Sequence, residues 1–216
     1  MTSHRERMDQ FADCALYVVI TEAFCAGRSA LDVLDACLDA GVRLIQFREK
    51  DLEALELYRR AQAFRARTRA AGALLIIDDR VDLALAVEAD GVHLGRSDLP
   101  IDAARRIAPE LILGASSHDP GQAAEAQNAG ASYVNIGPIY ATQTKTHTAA
   151  PVGPEMISRV AACLSVPFTC MGGIKAHNVH ELVARGARHI AVVTAVTAAP
   201  DIAGAVQALH QAIRHA

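Results

Sequence analysis

The chain is predicted to fold as an α/β protein: a single (β/α)8 barrel with a short N-terminal extension. Three observations carry that expectation. Eight short apolar runs alternate with stretches of helical patterning, and no linker or shift in composition divides them. Small residues precede four of the strands in a recurring phrase: Ala40-Gly41-Val42, Ala89-Asp90-Gly91, Ala129-Gly130-Ala131 and Arg185-Gly186-Ala187. Each glycine can end a helix in the left-handed conformation before the next strand begins. Finally, 216 residues fall within the range of single barrels, and the GxGxxG turn of a doubly wound dinucleotide-binding sheet is missing. The expected division is residues 1–15 as the extension and 16–216 as the barrel domain.

Taken in order, residues 16–20 (LYVVI) are rich in β-branched side chains and read as the first strand. Ser29 can cap a helix running through Leu31, Val33, Leu34 and Cys37 to about Asp39. Residues 42–47 form the second strand, followed by a long helix over 52–71. The third strand covers 74–77 and leads into a short helix at 81–87; the fourth covers 91–94, with a helix at 100–107. Strands five and six, 111–113 and 133–136, flank a helix near 122–128. A helix over 154–163 precedes strand seven at 166–171. Another over 177–185 leads to strand eight at 190–193, and a last helix closes the chain near Ile213.

Composition excludes several classes of function. Half the residues are apolar (51%), which supplies a sizeable core, built from Ala, Val, Leu and Ile because Trp is absent and aromatics are 4%. The net charge of −3 and scattered Lys and Arg leave no basic stripe for nucleic acid. No segment approaches the roughly 20 apolar residues that span a bilayer, and the charged N-terminus lacks the apolar core of a secretory signal. Five cysteines, an odd number with no close pair, read as reduced thiols in a cytoplasmic protein. The nine histidines show no ligand spacing such as HExxH.

In a barrel of this kind, active sites gather at the carboxyl ends of the strands. Polar residues cluster at those positions. After strand two, Gln46, Arg48 and Lys50 fall at alternate positions, so an extended backbone sends them to one side, where two cations suit a diphosphate. After strand three come Asp78 and Asp79, and after strand four Asp98. Carboxylates on adjacent strand ends can share a Mg²⁺ ion, whose remaining ligands are substrate phosphates and water; Asp98 could instead cap the next helix. Strand five ends in Ser116-Ser117-His118, where His118 is a candidate general base and the same residues could also serve as a cap. Strand seven ends in Met171-Gly172-Gly173 and strand eight in Val193-Thr194, loops that commonly bind phosphate in barrels.

The longest irregular stretch follows strand six: residues 137–153, GPIYATQTKTHTAAPVG. Hydroxyl and amide groups at Thr142, Gln143, Thr144, Thr146 and Thr148 surround one cation, Lys145. Such donors suit an anionic ligand, and loops of this length in compact domains are usually functional or disordered.

Together these phrases resemble the thiamine-phosphate synthase family. The shared motifs are QFREK at 46–50, DDRVDLALAVEADGVHLGRSDLP at 78–100, SSH at 116–118, GPIYATQTK at 137–145, GGI at 172–174 and VVTAV at 192–196, in the family's order and spacing. The resemblance implies a TIM-barrel catalytic domain and a magnesium-dependent transferase of thiamine biosynthesis. Such an enzyme joins 4-amino-2-methyl-5-(diphosphooxymethyl)pyrimidine to 4-methyl-5-(2-phosphooxyethyl)thiazole, or its 2-carboxylated form, and releases diphosphate. By the same resemblance Gln46, Arg48, Lys50, Asp78, Ser116 and Lys145 bind the pyrimidine diphosphate, with Lys145, Arg48 and Ser116 at the reacting bond. Asp79 and Asp98 hold Mg²⁺. Thr142, Gln143, Thr144, Gly172, Gly173, Val193 and Thr194 line the thiazole phosphate pocket. The family's bond to diphosphate breaks early and leaves a pyrimidine-stabilised cation, which demotes His118 to a positioning role.

Three positions depart from the family pattern. Asp78 stands where Asn is usual, Ala141 replaces the proline of the PTxTK phrase, and Thr194 replaces a usual Ser. Asp78 is the serious one, because an extra carboxylate repels a diphosphate. Two rival readings are a thiazole tautomerase-like barrel and a non-catalytic sensor of thiamine phosphates. The tautomerase-like branch generally loses Arg-x-Lys and the metal carboxylates, which are present here. The expected partners are small phosphorylated substrates, with neither nucleic acid nor membrane. The outer helices could carry a homodimer interface that amphipathic patterning does not distinguish.

Overall fold

The computed structural model describes residues 2–142, 144 and 150–215. The strands are β1 (Leu16–Ile20), β2 (Leu44–Phe47), β3 (Leu74–Asp78), β4 (Gly91–Leu94), β5 (Ile112–Ser117), β6 (Tyr133–Ile136), β7 (Phe168–Met171) and β8 (His189–Val192). They pair in sequence order, all parallel, and close through β1 and β8, where Tyr17 faces Ala191 and Val18 faces Val192. Parallel strands buried on both faces need nearly continuous apolar sequence, which runs such as LLII at 74–77 supply.

Around the barrel lie α2 (Ala30–Asp39), α3 (Ala54–Ala70), α4 (Val81–Ala86), α5 (Ile101–Ile107), α6 (Pro120–Asn128), α7 (Glu155–Ala161), α8 (Val179–Ala184), α9 (Thr194–Thr197) and α10 (Ile202–Arg214). The main apolar core fills the shell between strands and helices. A second, smaller core fills the barrel itself and includes Tyr17, Leu44, Leu74, Ile76, Ile112, Tyr133 and Ala191. Ser29 caps α2 as its sequence position predicts, its hydroxyl accepting from the Asp32 N–H at 3.1 Å.

The repeated glycine phrase holds at three of its four places. Gly41, Gly130 and Gly186 have φ of 92°, 99° and 100° and end their helices in the left-handed region. Gly91 does not: it begins β4, where a Cβ would meet the Ile112 carbonyl at 2.5 Å. There the left-handed step is taken by Glu88, at φ 52°.

The extension folds as α1 (His4–Ala12), opened by Ser3 and Glu6 in a reciprocal capping box. It closes the amino-terminal end of the barrel. Phe11 is fully buried, stacks on Tyr133 with ring centroids 4.9 Å apart and lies 5.0 Å from the His189 ring. Arg7 donates to the Glu110 carbonyl at 2.6 Å and approaches Asp90, which also pairs with Arg65 at 2.7 Å.

Candidate active site

The carboxyl ends of β2, β3 and β4 bring the predicted charges together. Gln46 lies deepest, buried in the barrel, with its Nε2 donating to Tyr17 Oη at 2.6 Å. Arg48 and Lys50 follow on the same side of the chain and converge on Asp78, at 3.4 and 3.1 Å. The alternation read from the sequence therefore does set three side chains in one line. Asp78 is largely buried, and that burial pushes its carboxyl up to about 6; the adjacent Asp79 charge adds to the effect, while Lys50 and Arg48 oppose it.

Asp79 leaves β3 in the left-handed region, at φ 61°, with its N–H donating to the His93 carbonyl at 2.8 Å. That turn separates two consecutive carboxylates. Asp79 pairs with Lys50 and forms a hydrogen bond with Asp98. Burial disfavours the Asp79 charge, but Lys50 and Asp98 outweigh it and hold its carboxyl below the usual range. Burial and the same hydrogen bond raise Asp98. Two carboxylates in contact repel unless a proton or cation lies between them, so the donor chemistry of the pair fits a hard divalent ion. Among the described residues no group of three His, Cys, Asp or Glu side chains could hold a metal. A Mg²⁺ ion here would complete its octahedron with water and substrate oxygens. Asp98 does not cap α5: it accepts from the Gly95 N–H at 2.7 Å, and Pro100 occupies the cap position.

Ser116, near the end of β5, lines a groove with Gly95 and Asp98, and its Oγ is 2.9 Å from His93 Nε2. The cap of α6 is Asp119, accepting from the Gln122 N–H, while Gln122 Oε1 accepts from the His118 N–H, so neither the Ser116 hydroxyl nor the His118 ring caps that helix. His118 Nδ1 donates to the Gly137 carbonyl at 2.5 Å, which ties the ring to the segment just after β6.

Two clefts open at this mouth and share Thr144, Met171 and Val193. Gln46, Arg48, Asp78, His93 and Asn135 line the first. Thr142, Gly172, Gly173 and Thr194 line the second. The two glycines serve packing as well as access, since a Cβ at Gly172 or Gly173 would strike Pro138 or Tyr140 in the loop after β6. That loop is tied down by the Ile139 and Tyr140 N–H groups, which donate to the Met171 and Gly172 carbonyls. Gln143 and Lys145 lie outside the described residues.

His93, Tyr17 and Tyr133 were not read as site residues from the sequence. The available signal was period two: Gly91, His93 and Tyr133, Asn135 fall at alternate positions of apolar strands and so point into the barrel.

The sequence matches the family model for thiamine monophosphate synthase over residues 16–196. A thiamine-phosphate synthase from Pelotomaculum thermopropionicum is 41% identical over 210 residues, 97% of this chain and 96% of that one. One from Lawsonia intracellularis is 40% identical over 202 residues, 93% of each chain. Among solved structures, the thiamine phosphate pyrophosphorylase from Pyrococcus furiosus superposes with a TM-score of 0.86 at 35% identity, covering 93% of this chain and 95% of the other. This barrel, with its paired clefts and strand-end charges, belongs to the thiamine-phosphate synthase family.

Proposed function

We propose that the chain condenses the pyrimidinylmethyl diphosphate with the thiazole phosphate, expelling diphosphate and forming thiamine phosphate. The observation that carries this reading is the convergence of Gln46, Arg48, Lys50, Asp79, Asp98 and Ser116 beside a second, glycine-floored cleft. Two adjoining subsites are what a reaction between two substrates requires.

In this reading Arg48 and Lys50 bind the diphosphate of the pyrimidine substrate, a role the family motif also gives to Lys145. Asp79 and Asp98 would hold Mg²⁺, which would supply charge neutralisation to the leaving group. Ser116 donates to a diphosphate oxygen as negative charge accumulates there. Fixed donors of this kind act most strongly on charge that develops in the transition state. Gln46, at the cleft floor, contacts the pyrimidine. The backbone of Gly172, Gly173, Val193 and Thr194, with Thr142, Gln143 and Thr144, anchors the thiazole phosphate so that its ring nitrogen faces the carbon left by diphosphate. No strong base is needed, because the attacking nitrogen carries a lone pair and loses no proton.

The test is thiamine phosphate formation by purified protein given both substrates, with and without Mg²⁺. Metal-dependent product with one equivalent of diphosphate supports the reading. Binding of the thiazole phosphate without product would move the assignment to the tautomerase-like or sensor alternatives.

A further inference from the structure

Inside the barrel a row of polar side chains runs from the cleft floor to Ser116. Gln46 Nε2 donates to Tyr17 Oη at 2.6 Å. Tyr17 Oη lies 3.1 Å from Tyr133 Oη, which lies 3.0 Å from His93 Nδ1. His93 Nε2 then lies 2.9 Å from Ser116 Oγ. These residues come from β1, β2, β4, β5 and β6, so the row is a property of barrel closure.

Starting from its first member, the row is satisfied with every bond running one way. An amide nitrogen can only donate, so Tyr17 Oη accepts from Gln46 and turns its own proton to Tyr133. Burial pushes both phenols up, which keeps them protonated and able to donate. Tyr133, having accepted, gives its proton to His93 Nδ1. With Nδ1 accepting, the imidazole carries its hydrogen on Nε2 and donates it to Ser116 Oγ. The Ser116 hydroxyl makes no other hydrogen bond among the described residues, so its one proton is left to donate to a ligand.

We propose that Tyr133 is a positioning residue which, through His93, fixes the Ser116 hydroxyl as a donor toward the departing diphosphate. This rests on the reading of Ser116 as a leaving-group contact. The fold makes deliberate room for the arrangement. Tyr133 pairs in register with Gly114, where any Cβ would collide with the phenol ring, and Phe11 stacks on the ring to hold it in place. A donor already aimed costs no reorganisation when charge develops.

The experiment combines histidine tautomers with a double-mutant cycle. ¹⁵N-histidine NMR of the full chain should show His93 as the Nε2–H tautomer, its signals identified by their loss in His93→Gln. Tyr133→Phe keeps the ring stack but removes the donor to Nδ1, and it should move His93 toward Nδ1–H. Its kcat for thiamine phosphate should fall about tenfold with little change in KM, one hydrogen bond's worth. Tyr133→Phe combined with Ser116→Ala should be no slower than Ser116→Ala alone, because both changes cut one chain. An Nδ1–H or doubly protonated His93 in the parent protein, or multiplying effects of the two substitutions, would overturn the proposal. A parent protein that makes no product would refute the synthase reading, while the tautomer measurement would still decide the relay.

Discussion

At the mouth of the barrel Asp78 competes with the ligand its neighbours would bind. Arg48 and Lys50 both approach its carboxylate, so an incoming diphosphate must displace one anion to reach two cations. A largely buried carboxylate beside Asp79 also adds repulsion that an amide would not. Asp78→Asn should therefore lower KM for the pyrimidine diphosphate by roughly tenfold, about 1.4 kcal/mol of recovered ion pairing. Steady-state kinetics at fixed Mg²⁺ and saturating thiazole phosphate measure it, and an unchanged or higher KM would show that Asp78 does not compete. Asp98 poses the opposite case. Its carboxylate accepts from the Gly95 N–H within a strand-end loop, so Asp98→Ala should leave the circular dichroism spectrum intact while thiamine phosphate formation falls at least about a hundredfold. Near-normal turnover in that variant would remove Asp98 from the proposed metal site.

Among the elements, α1 has a role larger than its sequence suggests. Its fully buried Phe11 seals the barrel floor against Tyr133 and His189. Truncating a buried aromatic costs about 3–5 kcal/mol, so Phe11→Ala should lower the urea midpoint by an amount matching that range. A loss under about 1 kcal/mol would mean that α1 is dispensable to the fold. The helix was not legible because only Met8 and Phe11 give it an apolar side, although Ser3 and Glu6 already spell a capping box. Strands β1, β4 and β6 were legible to the residue because their apolar runs are bounded by polar or small residues. β5 reads as three residues, 111–113, yet it runs on to Ser117, since Gly114, Ala115 and Ser116 pair with β6 without any apolar pattern to mark them. The four-residue α9 is too short to show a helical period.

Across the whole molecule the two ends of the barrel divide the work, and legibility follows that division. Charges placed just after apolar strands announce themselves, so Arg48, Lys50, Asp79 and Asp98 were readable as a group. The Tyr17–Tyr133–His93 row joins positions that no local pattern connects, and it exists only once the barrel closes. The opposite end is plugged by α1, and its pH response can be worked out from His189. That ring packs on Phe11, its Nδ1–H donates to the Cys14 carbonyl at 2.8 Å, and the charge of Arg188 acts on it. Burial depresses its pKa below 6.5 and Arg188 adds to the depression, against a raising effect from the Cys14 carbonyl. The unfolded chain then binds a proton that the native state refuses, so stability rises with pH across this window. His189's contribution is fully present above about pH 6.5 and is lost as pH falls toward the lowered native value. His189→Gln retains a donor for the Cys14 carbonyl but cannot titrate. Urea unfolding at pH 7.5 and pH 5.0 should therefore show a smaller acid loss in the variant than in the parent protein. An equal loss in both would place the acid sensitivity elsewhere in the barrel.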